Sequence, residues 1–293
     1  MLYTIKNEYI SVVVNELGAE LNSIIYAGKE FLWQGDANWW TGRAPILFPV
    51  VGLLNNGTYT HDGKRYKLNN HGFARQSIFT LKDKTDNTIM LSLCDDKDSR
   101  NVYPFEFELI VKYTLTRRSI CTGFQVTNKS DGDMFFSIGG HPAFCCPLYQ
   151  GEAFDDYEIV LNEKETVGNH IIANNGLVLD NTTPFFNNTN QIPLAYELFN
   201  KHETVVFSNL KSTTATLRSC KTGVGVAMEF TGFPYFAIWT KPGAPFVCLE
   251  PWCGVDDSPE STGVLREKTG IIKLSTKSEY ACSFTITPIT QND

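Results

Sequence analysis

The sequence predicts an all-β protein, built as an antiparallel sandwich or barrel. Three observations carry this. Runs of alternating apolar and polar residues recur along the 293 residues. Glycine-containing turn pairs separate them at short intervals. No strand–helix–strand alternation, Gly-x-Gly-x-x-Gly or phosphate-loop motif is present, which excludes a doubly wound nucleotide fold.

In chain order, Ile10, Val12 and Val14 alternate with Ser11 and Val13. Asn56-Gly57 and Asp62-Gly63 mark turns. The clearest strand reads FEFELIVKYTL: Phe105, Phe107, Leu109, Val111, Tyr113 and Leu115 share one face, and Glu106, Glu108, Lys112 and Thr114 the other. A half-buried strand has that pattern. Ile120, Thr122, Phe124 and Val126 continue it, and Asp131-Gly132 and Asn175-Gly176 give further turns. The Asn-rich stretch Phe185 to Gln191 predicts a long surface loop, and Pro193 to Thr204 one short helix. Val224, Val226, Met228 and Phe230 form another strand signal, Pro242-Gly243 a turn, and Cys282, Phe284 and Ile286 a last strand. No linker divides the chain, so residues 1–293 are expected to form one domain.

Composition narrows the function. Hydrophobic residues reach 42% and charged residues 19%, which excludes wholesale disorder. A net charge of -7 argues against a nucleic-acid partner. No apolar run approaches the ~20 residues of a membrane span. The first residues, MLYTIKNEYISVVV, lack a basic segment followed by an apolar one, and the eight cysteines form no Cys-x-x-Cys pair. Reduced thiols and a cytoplasmic location are expected.

Few residues are placed to do chemistry. Of five histidines, His61, His170 and His202 stand in polar surroundings and read as surface residues. His71 lies in Asn70-His71-Gly72-Phe73-Ala74-Arg75, and His141 in Gly139-Gly140-His141-Pro142-Ala143-Phe144. Glycine beside a polar residue marks backbone that approaches something closely or takes positive φ, although a satisfied turn histidine also fits. Glu250 ends the apolar run Pro245-Phe246-Val247-Cys248-Leu249. Burial there would raise its pKa and suit it to general-base work; capping a strand end is the alternative. Arg43 and Arg75 could fork onto hydroxyls or pair structural acids. Trp39, Trp40, Trp239 and Trp252 offer flat faces for a sugar ring or belong to the core. No metal site is expected: Cys145 and Cys146 are adjacent and point to opposite faces of a strand, so both rarely join His141 on one ion, and no His-Glu-x-x-His or paired Cys-x-x-Cys motif is present.

Taken together, Asn70–Arg75, Gly139–Phe144 and Leu249-Glu250-Pro251-Trp252-Cys253-Gly254 resemble the aldose 1-epimerase (galactose mutarotase) family, in its bacterial galactose-mutarotase-related branch. The resemblance spans essentially the whole chain. It implies a galactose mutarotase-like supersandwich with an open sugar cleft, and interconversion of the α and β anomers of a hexose such as galactose or glucose. It further implies that Glu250 is the base at the anomeric hydroxyl and His141 the acid at the ring oxygen. His71, Arg43, Arg75 and Trp252 would bind the sugar, with no cofactor and a monomer or homodimer. A hexose-6-phosphate epimerase, with Arg43, Arg75 and Lys241 as candidate cations, and a non-catalytic sugar-binding protein are the alternatives. The family's sugar-binding aspartate has no assigned counterpart, because Asp256 and Asp257 sit in a stretch that reads as a turn.

Overall fold

The computed structural model describes residues 1–199 and 203–291. Antiparallel strands dominate it, as the alternation predicts. The largest sheet has nine strands, in the order Thr189–Pro193, Tyr157–Glu165, Thr214–Ser219, Gly225–Glu229, Glu279–Ile289, Ser119–Asn128, Phe107–Thr116, Thr88–Cys94 and Thr80–Lys84. Leu2–Lys6, Ile10–Asn15, Leu21–Tyr26 and Lys29–Glu30 form a four-stranded sheet. A six-stranded sheet runs Thr204–Ser208, Tyr235–Trp239, Phe246–Cys253, Ile138–Gly140 and Ile46–Leu47, and Ala143–Cys145 also pairs with Phe246–Cys253.

Side-chain period explains the layers. In Phe107–Thr116 the residues Phe107, Leu109, Val111, Tyr113 and Leu115 are all buried. Each large apolar side chain taken out of water contributes about 1.5–3 kcal/mol. These residues share one core cluster with Val247, Leu249, Phe144 and Ile138 of the six-stranded sheet. Phe246–Cys253 is buried at all eight positions, so it has no solvent face. Its odd members Val247, Leu249 and Cys253 enter that main core. Its even members Phe246, Cys248 and Trp252 belong to two smaller clusters on the other face. Alternation therefore puts Glu250 on the face of Cys248 and Trp252.

Two expectations fail. The Phe185–Gln191 loop is short, because Val178–Pro184 and Thr189–Pro193 are strands and Phe186 is buried against Phe207. Apolar flanks outweighed the asparagines. No helix spans 193–204 among the described residues: Pro193 ends a strand, Tyr196–Leu198 is one 3-10 turn and Thr204 starts a strand. Residues 200–202, His202 included, lie outside the described residues.

Candidate active site

The Gly-Gly-His-Pro motif interrupts a sheet. Ile138 and Gly139 pair with Cys253 and Trp252, and Ala143, Phe144 and Cys145 pair with Cys248, Val247 and Phe246. Gly140, His141 and Pro142 fall in the gap, opposite residues 249–251. Pro142 has no N–H for the ladder and keeps its predecessor out of the helical region. The His141 N–H instead binds the Pro45 carbonyl at 3.1 Å, and the Pro142 carbonyl accepts the Leu249 N–H at 3.2 Å. The glycines allow close layers. A side-chain carbon on Gly140 would lie 2.7 Å from the Phe284 ring, and one on Gly139 2.8 Å from Trp252.

This break sets His141 facing Glu250, with Nε2 and Oε2 3.4 Å apart. Both residues are buried, at 8% and 1% exposure. Trp40 stacks on the His141 ring at 5.0 Å, and Trp239 meets it edge-on at 5.4 Å. Burial among these rings disfavours charge and pulls His141 down to about 3. It pushes the Glu250 carboxyl well above the usual carboxylate range. The Trp252 indole N–H is close enough to draw that carboxyl partly back down, without reaching hydrogen-bond geometry. Both main shifts favour neutral groups, so the pair holds one proton between them over a wide pH range.

His71 approaches the pair from another loop. Its ring stands 5.8 Å from His141 and 6.3 Å from Trp252. Its Nδ1 accepts the Gly52 N–H at 3.0 Å. Burial keeps the imidazole neutral, so its single proton sits on Nε2, which is left as a donor.

These residues line one cleft of about 440 Å³, within the range of small-ligand sites. His71, Arg75, His141, Glu250 and Trp252 are brought together there, with Trp40 and Trp239. Arg75 donates from Nη2 to the Asn70 carbonyl at 2.9 Å. Arg43 does not line the cleft. Its backbone N–H binds Glu20 Oε1 at 2.8 Å, and its guanidinium carbon lies 3.4 Å from where a side-chain carbon on Gly35 would stand. Lys241 is engaged elsewhere, donating to the Trp39 carbonyl at 2.9 Å.

Asp256 is a cleft residue that the motifs did not reveal. Its Oδ1 accepts the Leu53 N–H at 2.7 Å, and its carboxyl packs so tightly on Gly52 that an added side-chain carbon would be 2.3 Å from it. Asp257 points away to a buried Lys268, 3.0 Å distant. The adjacent pair thus divides its work, one carboxyl at the cleft and one holding the loop.

Four polar atoms or groups of this cleft are buried without a hydrogen-bond partner: His141 Nδ1, both Glu250 carboxylate oxygens and Trp252 Nε1. Buried polar atoms are rarely left so, and their concentration in one place makes this cleft the candidate ligand site. A model of the family described as aldose 1-epimerase matches residues 1–260. The chain belongs to the aldose 1-epimerase family. The LacX protein, chromosomal, of Lactococcus lactis subsp. lactis is 38% identical over 284 residues, 94% of this chain and 95% of that one. A galactose mutarotase related enzyme from Lactobacillus acidophilus is 34% identical, with a TM-score of 0.94 over 99% of this chain and 98% of that one. A galactose mutarotase-like protein from Lactobacillus casei ATCC 334 is 29% identical, with a TM-score of 0.91 over 99% and 100% of the two chains. Membership in the aldose 1-epimerase family supports an isomerase that epimerises carbohydrates, and the supersandwich is the family's fold. Among the described residues no helix is long and apolar enough to cross a membrane.

Proposed function

We propose that the protein is an aldose 1-epimerase acting on an unphosphorylated hexose, with His141 and Glu250 as its acid/base pair. The observation that carries this reading is the 3.4 Å opposition of two buried, otherwise unpartnered proton carriers across one cleft. Ring opening of a pyranose removes a proton from the anomeric hydroxyl and delivers one to the ring oxygen. Both oxygens are bonded to the same carbon, so donor and acceptor must stand side by side.

In the mechanism, the shared proton moves from Glu250 to His141 across their 3.4 Å contact as the sugar is engaged; Glu250 then takes the anomeric proton while His141 protonates the ring oxygen. The C1–O5 bond breaks and the open aldehyde rotates about C1–C2. Reclosure on the other face returns both protons, so the pair regains its starting state and consumes no cofactor. The His71 Nε2–H donates to a sugar hydroxyl. Asp256 accepts from another, and Arg75 donates to a third. Trp40, Trp239 and Trp252 enclose the ring and exclude water, which strengthens each polar contact. Charge supports the unphosphorylated substrate. Among the described residues Arg75 is the only Lys or Arg lining the cleft, against the carboxyl groups of Glu203 and Asp256.

Polarimetry of freshly dissolved α-D-glucose and α-D-galactose tests the reading. The wild-type chain accelerates the decay of rotation. Glu250→Gln, which keeps shape and removes the base, lowers kcat by about 10²–10⁴-fold while sugar binding stays nearly intact. An unchanged rate in that variant refutes the assignment of Glu250.

A further inference from the structure

Cys248 is left unused by this mechanism, yet it completes a ligand set. Cys248 and Glu250 are two residues apart on one strand and share a face. His141 meets that face from the break in the neighbouring pairing. Donor atoms of the three residues all lie within 4.8 Å of one another, and all three residues are buried. This is a different triplet from His141 with Cys145 and Cys146, whose adjacent thiols diverge. We propose that His141, Cys248 and Glu250 bind one zinc-class divalent cation through imidazole nitrogen, thiolate sulfur and carboxylate oxygen.

The donor chemistry selects the ion. Mixed nitrogen, sulfur and oxygen ligands suit a borderline-soft cation and not magnesium or calcium, which take oxygen. Ligand atoms of a tetrahedral zinc stand about 3.3–3.7 Å apart, given bonds of about 2.0–2.3 Å. The His141–Glu250 separation of 3.4 Å already meets this, and the thiol needs only to close on them. A dication with one thiolate, one carboxylate and a neutral imidazole sums to zero charge, which a buried site tolerates. The unpartnered Glu250 oxygens show that polar capacity is available there. On binding, the Zn–S bond forms as the thiol proton leaves to solvent, the proton held by the His141–Glu250 pair leaves with it, and no electron is transferred. Three protein ligands leave a fourth position for water or a sugar hydroxyl. The functional consequence rests on the epimerase reading: the ion occupies both proton carriers and stops catalysis.

The experiment is a cobalt(II) titration of the tag-free, metal-stripped full chain without sugar, followed by zinc competition. One equivalent of cobalt is expected to produce tetrahedral d–d bands and a sulfur-to-cobalt charge-transfer band, both lost when zinc is added. Cys248→Ser and Cys248→Ala remove the charge-transfer band and weaken zinc binding by more than the about 10–100-fold that loss of an outer partner costs. Both keep basal epimerase activity and escape zinc inhibition. Absence of the band in folded wild-type protein, or its survival in folded Cys248→Ala, overturns the site. The two readings fail separately. A cobalt band on a chain that accelerates no mutarotation leaves the metal site standing and removes the epimerase. An active enzyme with no band does the reverse.

Discussion

At the scale of single residues, the His141–Glu250 pair sets the pH dependence. His141 is lowered to about 3 by burial, so its protonation beside an already protonated Glu250 begins only in strong acid. Glu250 is raised well above 4.5, so the shared proton is lost only as pH climbs through that raised value. The rate of mutarotation should therefore form a plateau across neutrality, with an acid limb well below the 6.5 of a free imidazole. A limb at 6.5 would show a solvated histidine and refute the neutral pair. Asp256 is predicted to act on binding: Asp256→Asn should raise KM by about 10-fold or more with a smaller change in kcat, since a hydrogen bond to a charged group contributes about 1.5–3 kcal/mol. Steady-state kinetics decide it. Glu250 was legible because a carboxylate closing an apolar run is costly, and His141 because glycines and proline crowd it. Asp256 was not, because a turn such as Gly254–Ser258 reads the same whether its acid faces a ligand or the backbone. Arg43 does not line the cleft, and its place beside an apolar run says nothing of where the guanidinium goes.

At the scale of strands, alternation located Phe107–Thr116 and Ser119–Asn128 to within a few residues, because one face must be buried and the side-chain period is two. Register stayed hidden. The carboxylate of Glu108, on the outer face, gathers Lys129 at 2.8 Å, Lys82 at 3.2 Å and Ser92 at 2.8 Å. Those partners come from the end of one neighbouring strand and from two others, and no pattern within a strand announces them. The hydrogen bond from Lys129 leads in holding Glu108 at about 2, below its usual 4.5. A depressed carboxylate stabilises the fold above its unfolded pKa, and that stability drains away as pH falls from 4.5 toward 2. The full shift corresponds to about 3 kcal/mol, which solvent screening at this outer face reduces toward 1 kcal/mol. Denaturant unfolding of Glu108→Gln should show that loss at pH 7 and a narrowing gap from wild type as the solution is acidified. A gap independent of pH would mean that the ion pairs contribute nothing.

At the scale of the whole molecule, the family match ends at residue 260, but the fold does not. Glu279–Ile289 lies in the middle of the nine-stranded sheet, paired with Ser119–Asn128 on one side and Gly225–Glu229 on the other. Without it, these two strands lose their shared neighbour and present open edges, which invites association between chains. The strand also supports the site. Its Phe284 ring packs directly against Gly140, whose lack of a side chain permits the contact and which precedes His141. Residues 1–260 expressed alone are therefore expected to be insoluble or to lack cooperative unfolding, although they carry every residue assigned to the chemistry. Phe284→Ala keeps the strand and removes the ring. It should cost about 3–5 kcal/mol and leave a folded protein with a reduced rate. Circular dichroism and thermal unfolding separate these results. A 1–260 fragment that unfolds cooperatively and retains full activity would show that the site needs only the family's matched segment, and that the last strand merely covers it.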